Sequence, residues 1–234
     1  MMNSLKLSKR LQAVADYVET GSRLADIGSD HAYLPCHLAE TNRIPFAVAG
    51  EVVRGPYENA QKEVRQRGLE DKVIVRLGDG LAVVTSEDNI DTITIAGMGG
   101  ALIRSILEDG LENGQINGSE TLILQPNVYE VTVRDYLMTH HYRVTDETMI
   151  KENGKLYEII KAVPSKEAMN YSKQELLFGP KLLSEKSAVF KEKWTSVLNN
   201  TQRIINQMEK AQSTDKEKLT ELREYSDYIK EVLS

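Results

Sequence analysis

The chain has 234 residues, 41% hydrophobic and 27% charged, enough to bury one large core or two modest ones, and no stretch reaches the ~18 consecutive apolar residues of a membrane span. Its single cysteine, Cys36, excludes an internal disulfide framework, a Cys-rich zinc module and any cluster needing several thiolates. With 29 Lys and Arg against 35 Asp and Glu, a net charge of −6, a polyanion would have to dock on local basic clusters rather than on the molecule's overall field.

Residues 5–19 place Leu7, Leu11, Val14 and Val18 on one helical stripe that Gly21 ends. The N-terminus lacks the apolar run and small-residue cleavage site of a secretory signal, so the cytoplasm is the expected location. Short apolar runs follow at Arg23–Ile27, Phe46–Glu51, Lys72–Leu77, Asp91–Ala96 and Glu120–Gln125. Helical patterns lie between them around 32–41, 55–68, 100–110 and 129–140. This alternation predicts a parallel sheet covered on both faces. Tyr142–Ile150 and Lys155–Val163 flank Glu152-Asn153-Gly154, a hairpin signal that adds two strands at one edge.

Beyond Pro164 the pattern is helical only. Phe190, Trp194, Val197, Thr201, Ile204 and Met208 form one seam, and Leu219, Leu222, Ser226, Ile229 and Leu233 continue a similar one. Two helices are expected, with Ala211–Asp215 as the turn and Thr214 and Glu217 at capping-box spacing. Residues 1–165 carry 17 basic and 24 acidic side chains and residues 166–234 carry 12 and 11. The division into domains 1–165 and 166–234 therefore follows both pattern and charge.

The chemistry concentrates after the first strand, in Asp26-Ile27-Gly28-Ser29-Asp30-His31. A strand breaking into a glycine turn and then a helix is the geometry of a nucleotide crevice. A dinucleotide fingerprint, however, wants glycine where Asp30 stands. A carboxylate there repels pyrophosphate and suits a phosphate-free cation such as the sulfonium and ammonium of S-adenosylmethionine. An ordinary strand-turn-helix with an acidic cap would present the same residues. Glu51 ends the second strand at about the ~20-residue spacing of a ribose-hydroxyl acceptor. Gly78-Asp79-Gly80 ends the third, where Asp79 can accept from an adenine amino group.

The series Asp26-Ile-Gly28-Ser-Asp30-His31-Ala-Tyr-Leu-Pro, Glu51, Gly78-Asp79-Gly80-Leu, Ile95-Ala-Gly97-Met98-Gly99-Gly100 and Leu124-Gln125-Pro126-Asn127 resembles the bacterial tRNA adenine-N1 methyltransferases that modify position 22. The resemblance spans the whole chain. It implies a Rossmann-like class I methyltransferase domain followed by an α-helical coiled-coil hairpin, with S-adenosylmethionine as cofactor and tRNA as substrate. It also implies Asp26, Gly28, Ser29, Asp30 and His31 in the first cofactor loop, Glu51 at the ribose, Asp79 and Gly80 at the adenine, and Gly97 and Met98 beneath the transferred methyl. Asp30 and Ala32 stand where the general class I pattern has its second and third glycines.

The adenine N1 lone pair carries no proton, so such a transfer needs positioning and electrostatic support rather than a strong base. Asp30 is the candidate for that field and Asn127 for an amide contact to the base edge. Arg10 is expected to close over the cofactor or grip phosphate, and Tyr33 is a candidate to stack on the base. No metal is expected, because His31, Cys36 and His37 lack a zinc spacing. Lys6, Lys9 and Arg10, then Lys62, Arg65 and Arg67, then Lys173, Lys181, Lys186, Lys191 and Lys193 are the basic clusters for RNA. The hairpin would serve RNA docking or self-association. The competing readings are a small-molecule methyltransferase and a cofactor-binding regulatory scaffold without transfer.

Overall fold

A computed structural model of the chain describes residues 6–210 and 215–234. The elements run α1 (Lys9–Tyr17), β1 (Arg23–Ile27), α2 (Tyr33–Glu40), β2 (Phe46–Glu51), α3 (Arg54–Gln66), β3 (Val73–Leu77), β4 (Thr92–Gly99), α4 (Gly100–Glu112), β5 (Thr121–Val128), α5 (Glu130–Thr139), β6 (Tyr142–Glu152), β7 (Lys155–Pro164), α6 (Lys173–Phe178), α7 (Pro180–Glu185), α8 (Ala188–Lys210) and α9 (Lys216–Leu233). Two short 3₁₀ turns, Gly80–Val83 and Ser86–Asp88, link β3 to β4.

The strands form one sheet in the order β3-β2-β1-β4-β5-β7-β6. The first five are parallel, and the β6–β7 hairpin closes one edge antiparallel. Alternation along the strands splits the core. Ala25, Ile27, Val48, Ile93, Ile95, Leu122 and Leu124 face α4 and α5, whereas Leu24, Ala47, Ala49 and Ile123 face α1, α2 and α3. Both faces are covered, so the strands read as nearly continuous apolar runs. Chain order reverses between β1 and β4, which makes their carboxyl ends the topological switch point where ligands bind in open α/β sheets.

β4 carries the feature that shapes this crevice. Ala96 pairs with Gln125 and Met98 with Pro126, so Gly97 is squeezed out of the ladder as a bulge with φ +82°. Bulges of this kind re-aim backbone at active sites. α1 begins at Lys9 because the Ser8 side chain accepts from the Leu11 amide. The Glu152 carboxylate, at the tip of β6, accepts the Lys9 amide at 2.7 Å and docks the start of the helix on the sheet.

A third core joins the C-terminal helices to the sheet: Met149 of β6, Phe178, Leu182, Phe190, Trp194, Ile229 and Val232. The expectation of two helices beyond Pro164 is corrected to four among the described residues, α6 and α7 being six residues each on either side of Gly179. The seam is shifted as well. Ile205 and Val232 are buried, where the spacing predicted Ile204 and Leu233. The expected turn at 211–214, with Thr214 in the cap, lies outside the described residues. Asp215 caps α9 by accepting from the Lys218 amide.

Candidate active site

β1 delivers Asp26 into the sheet, almost wholly buried. Its carboxylate is satisfied on both oxygens: Ser29 Oγ donates to one at 2.5 Å and Thr94 Oγ1, from the neighbouring strand, to the other at 2.6 Å. Burial pushes this carboxyl above its ordinary range, and the charge of Asp30 adds in the same direction. The two hydroxyl bonds and Arg10 oppose the shift.

The chain leaves β1 through a left-handed turn. Gly28 has φ +68°, and Asp30, His31 and Ala32 follow at φ +44°, +70° and +57°. Successive non-glycine residues in this region are costly and persist only where their surroundings fix them. β2 does the fixing, since Gly50 O accepts from the Gly28 and Ser29 amides at 2.9 and 3.1 Å. Glu51 Oε1 accepts the Asp30 amide at 2.5 Å. Burial first, then the charges of Asp30 and Asp26, pushes the Glu51 carboxyl upward. The Asp30 side chain itself is 71% exposed, with His31 Nε2 at 3.6 Å.

On the other side of the switch point, Met98 folds across Gly28, where an added Cβ would stand 2.2 Å from its terminal methyl. Only glycine leaves room for that contact in this backbone conformation. The bulged Gly97 peptide is held at both ends. Its N–H donates to Gln125 Oε1 at 3.1 Å and its carbonyl accepts from Asn127 Nδ2 at 2.7 Å. Gln125 is the hub of this half. Wholly buried, it also accepts from Arg10 Nη1 at 2.8 Å and donates through Nε2 to Asn127 Oδ1 at 3.1 Å. The guanidinium of Arg10 lies over Gly97, 3.3 Å from where a Cβ would stand.

The structure thus brings Arg10, Asp26, Gly28, Ser29, Asp30, His31, Glu51, Gly97, Met98 and Asn127 to the carboxyl ends of β1, β2, β4 and β5. Asp79 and Gly80 stand at the carboxyl end of β3, beside a cavity of about 210 Å³ that Ile106, Gly110 and Gln115 also line. Sequence reasoning assigned no role to Gln125, whose signal was a polar residue closing the apolar run Leu122-Ile123-Leu124. Thr94 and the β4 bulge also went unread, since the bulge depends on register with β5. The Tyr33 ring stacks on His31 at 5.3 Å and packs with the α1–α3 core. Basic side chains named for RNA are engaged internally at three positions, Arg10 with Gln125, Arg67 with Glu40 and Glu63, and Lys193 with Glu130 and Glu158. Cys36 is buried and its thiol is pushed up to about 12, which removes it as a nucleophile.

The donor set fits a cationic, hydroxyl-bearing ligand. Asp26, Asp30 and Glu51 gather at the β1–β2 side of the switch point. Glu51 has an oxygen not taken by the Asp30 amide, and the Asp30 carboxylate stands where a pyrophosphate would approach.

A family model described as tRNA (adenine(22)-N(1))-methyltransferase matches residues 24–232. A tRNA (adenine(22)-N(1))-methyltransferase of Bacillus subtilis (strain 168) is 45% identical over 238 residues, 99% of this chain and 99% of that protein. The crystal structure of the B. subtilis tRNA methyltransferase aligns with a TM-score of 0.91 at 44% identity, covering 98% of this chain and 100% of that one. A Streptococcus pneumoniae structure in complex with S-adenosyl-L-methionine aligns at 0.89 and 42% identity, again over 98% and 100%.

Proposed function

The chain belongs to the tRNA (adenine(22)-N(1))-methyltransferase family, and from that membership we propose how its crevice divides the work. The enzyme methylates N1 of adenine 22 in tRNA and depends on S-adenosylmethionine. When bound, the cofactor would supply a methyl group on a positively charged sulfur: the neutral N1 lone pair forms the new N–C bond in line as the S–C bond breaks, the sulfur leaves as a neutral thioether and the positive charge passes to the base.

Asp26, Gly28, Ser29, Asp30 and His31 form the cofactor loop, and Glu51 accepts from the ribose hydroxyls. Asp79 and Gly80 face the cofactor's adenine. Gly97 and Met98 form the floor where the methyl crosses, and Arg10 roofs Gly97 while held by Gln125. Asp30 and Asn127 are the catalytic pair. Asp30 supplies negative field for the charge that develops on the base. Asn127 holds the Gly97 carbonyl with one amide N–H and has a second to offer the base edge. No residue is needed as a strong base, because N1 carries no proton. Residues 1–165 hold this machinery, and residues 166–234 are the helical extension that meets RNA. Lys173, Lys181 and Lys191 are exposed there and suited to backbone phosphate. The cytoplasm is the proposed location, in keeping with a tRNA substrate.

The observation that carries this reading is the convergence of three carboxylates on one side of the switch point with the pinned Gly97 peptide on the other. Incubation with labelled S-adenosylmethionine and an unmodified tRNA transcript, followed by nucleoside mass spectrometry, tests it. The expected product is 1-methyladenosine at position 22, absent when guanine replaces that adenine. Label on another base would contradict the assignment. Cofactor binding with no transfer would favour the regulatory scaffold.

A further inference from the structure

Tyr129 is the most exposed of the large apolar and aromatic side chains at the crevice, 68% accessible. It stands between β5 and α5, two residues beyond Asn127. Its backbone is left-handed, φ +60° and ψ +46°, an outlier for a bulky residue. The surroundings over-determine that conformation. Gly100 packs so closely that an added Cβ would stand 2.2 Å from the Tyr129 carbonyl oxygen, and the same oxygen accepts from the Thr132 amide at 3.0 Å. The next residue, Glu130, is tied to Lys193 of α8 at 2.6 Å. A strained backbone is therefore clamped on both sides beneath a ring left in solvent, a pattern that marks function rather than packing.

Its chain neighbours Val128 and Val131 are also exposed and apolar, at 51% and 39%, and so is Leu102, at 54%, in the first turn of α4 whose Gly100 packs on the Tyr129 carbonyl. They continue the β4–β5 half of the crevice, opposite the carboxylates of the cofactor half. A target base must present N1, on its Watson–Crick edge, unpaired, and an unstacked base needs cover for its π-face. Of two other tyrosines near the crevice, Tyr33 already stacks on His31 and Tyr157 lies under the Arg10 guanidinium.

We propose that Tyr129 is the stacking platform for the target adenine, with Leu102, Val128 and Val131 as its apolar surround. The proposal rests on the tRNA-adenine reading above. Tyr129→Ala is expected to lower kcat/KM for tRNA about ten- to hundredfold, the range for losing one base-aromatic stack, with cofactor affinity unchanged. Tyr129→Phe and Tyr129→Trp should stay within about threefold of the native enzyme, since the π-face is what matters. Tyr129→Asn separates function from folding, because asparagine tolerates a positive φ. It should melt no lower than the native protein and yet be as impaired as the alanine variant. In a tRNA carrying 2-aminopurine at position 22, fluorescence in the native complex should be lower than in the Tyr129→Ala complex. Native kcat/KM in both the alanine and asparagine variants, with unchanged 2-aminopurine signal, would overturn the proposal. A native enzyme that makes no 1-methyladenosine on the unmodified transcript would instead overturn the reading beneath it.

Discussion

Asp26 and Glu51 are two site carboxyls whose surroundings push them above the ordinary carboxylate range, in both cases chiefly through burial. A raised folded pKa means that the empty protein gains stability from these groups below the ordinary carboxylate pKa of about 4. The gain is lost as pH rises through the folded value. Asp26→Asn should therefore raise the melting temperature of the empty enzyme at neutral pH, with the benefit vanishing near pH 4. Ser29 and Thr94 can each turn to accept from the new amide. Cofactor binding has the opposite sign, since ribose hydroxyls and an ammonium both require the ionised carboxylates. Calorimetric affinity for S-adenosylmethionine should fall as pH drops, and the fall should begin above the ordinary carboxylate range. An affinity flat down to pH 4 would show that neither group meets the cofactor.

Arg134 of α5 is the corresponding feature at the scale of elements. Its guanidinium is wholly buried between Glu147 of β6 at 2.7 Å and Glu158 of β7 at 2.6 Å, and Lys193 of α8 completes Glu158 at 2.5 Å. Gly179, between α6 and α7, is pressed against this pair, its missing Cβ within 2.6 Å of Glu147 and 2.7 Å of Arg134. Arg134→Met would leave the buried Glu147 carboxylate without its cation, Glu158 keeping Lys193, so denaturant unfolding should report a loss of about 3–5 kcal/mol. A loss below about 1 kcal/mol would mean that the helical extension is held by its apolar core alone. Nothing in the sequence marked this network, because its members come from four elements and each alone resembles a solvated charge. The strands were legible from their apolar runs, and β1 and β2 have the predicted bounds. α6 and α7 were not, since six residues are too few to establish a helical period. The Ser172–Glu175 capping box was the local signal available. On α8 the buried positions Phe190, Trp194 and Thr201 follow the seam read from the spacing, and Ile205 is buried where that spacing named Ile204.

Over the whole molecule, the cofactor half of the site was readable because its residues are contiguous: a strand end and its turn, twice repeated at Glu51 and Asp79. The acceptor half was not. Gln125, the Gly97 bulge and Tyr129 gain their meaning from β4–β5 register and from α1 crossing above, neither of which a linear reading supplies. The resulting account assigns separate duties to neighbouring carboxylates, Glu51 to holding the cofactor and Asp30 also to the transfer. The direct test is the single-turnover rate of 1-methyladenosine formation, at saturating cofactor and tRNA, for Asp30→Asn and Glu51→Gln. Asparagine keeps the left-handed backbone tolerable and removes only the charge. Asp30→Asn should remain about ten- to hundredfold slow at saturation, the scale of one lost electrostatic contact in a transition state, while Glu51→Gln should recover to within about threefold. A native rate for Asp30→Asn once both ligands saturate would contradict the assignment of that charge to the reaction.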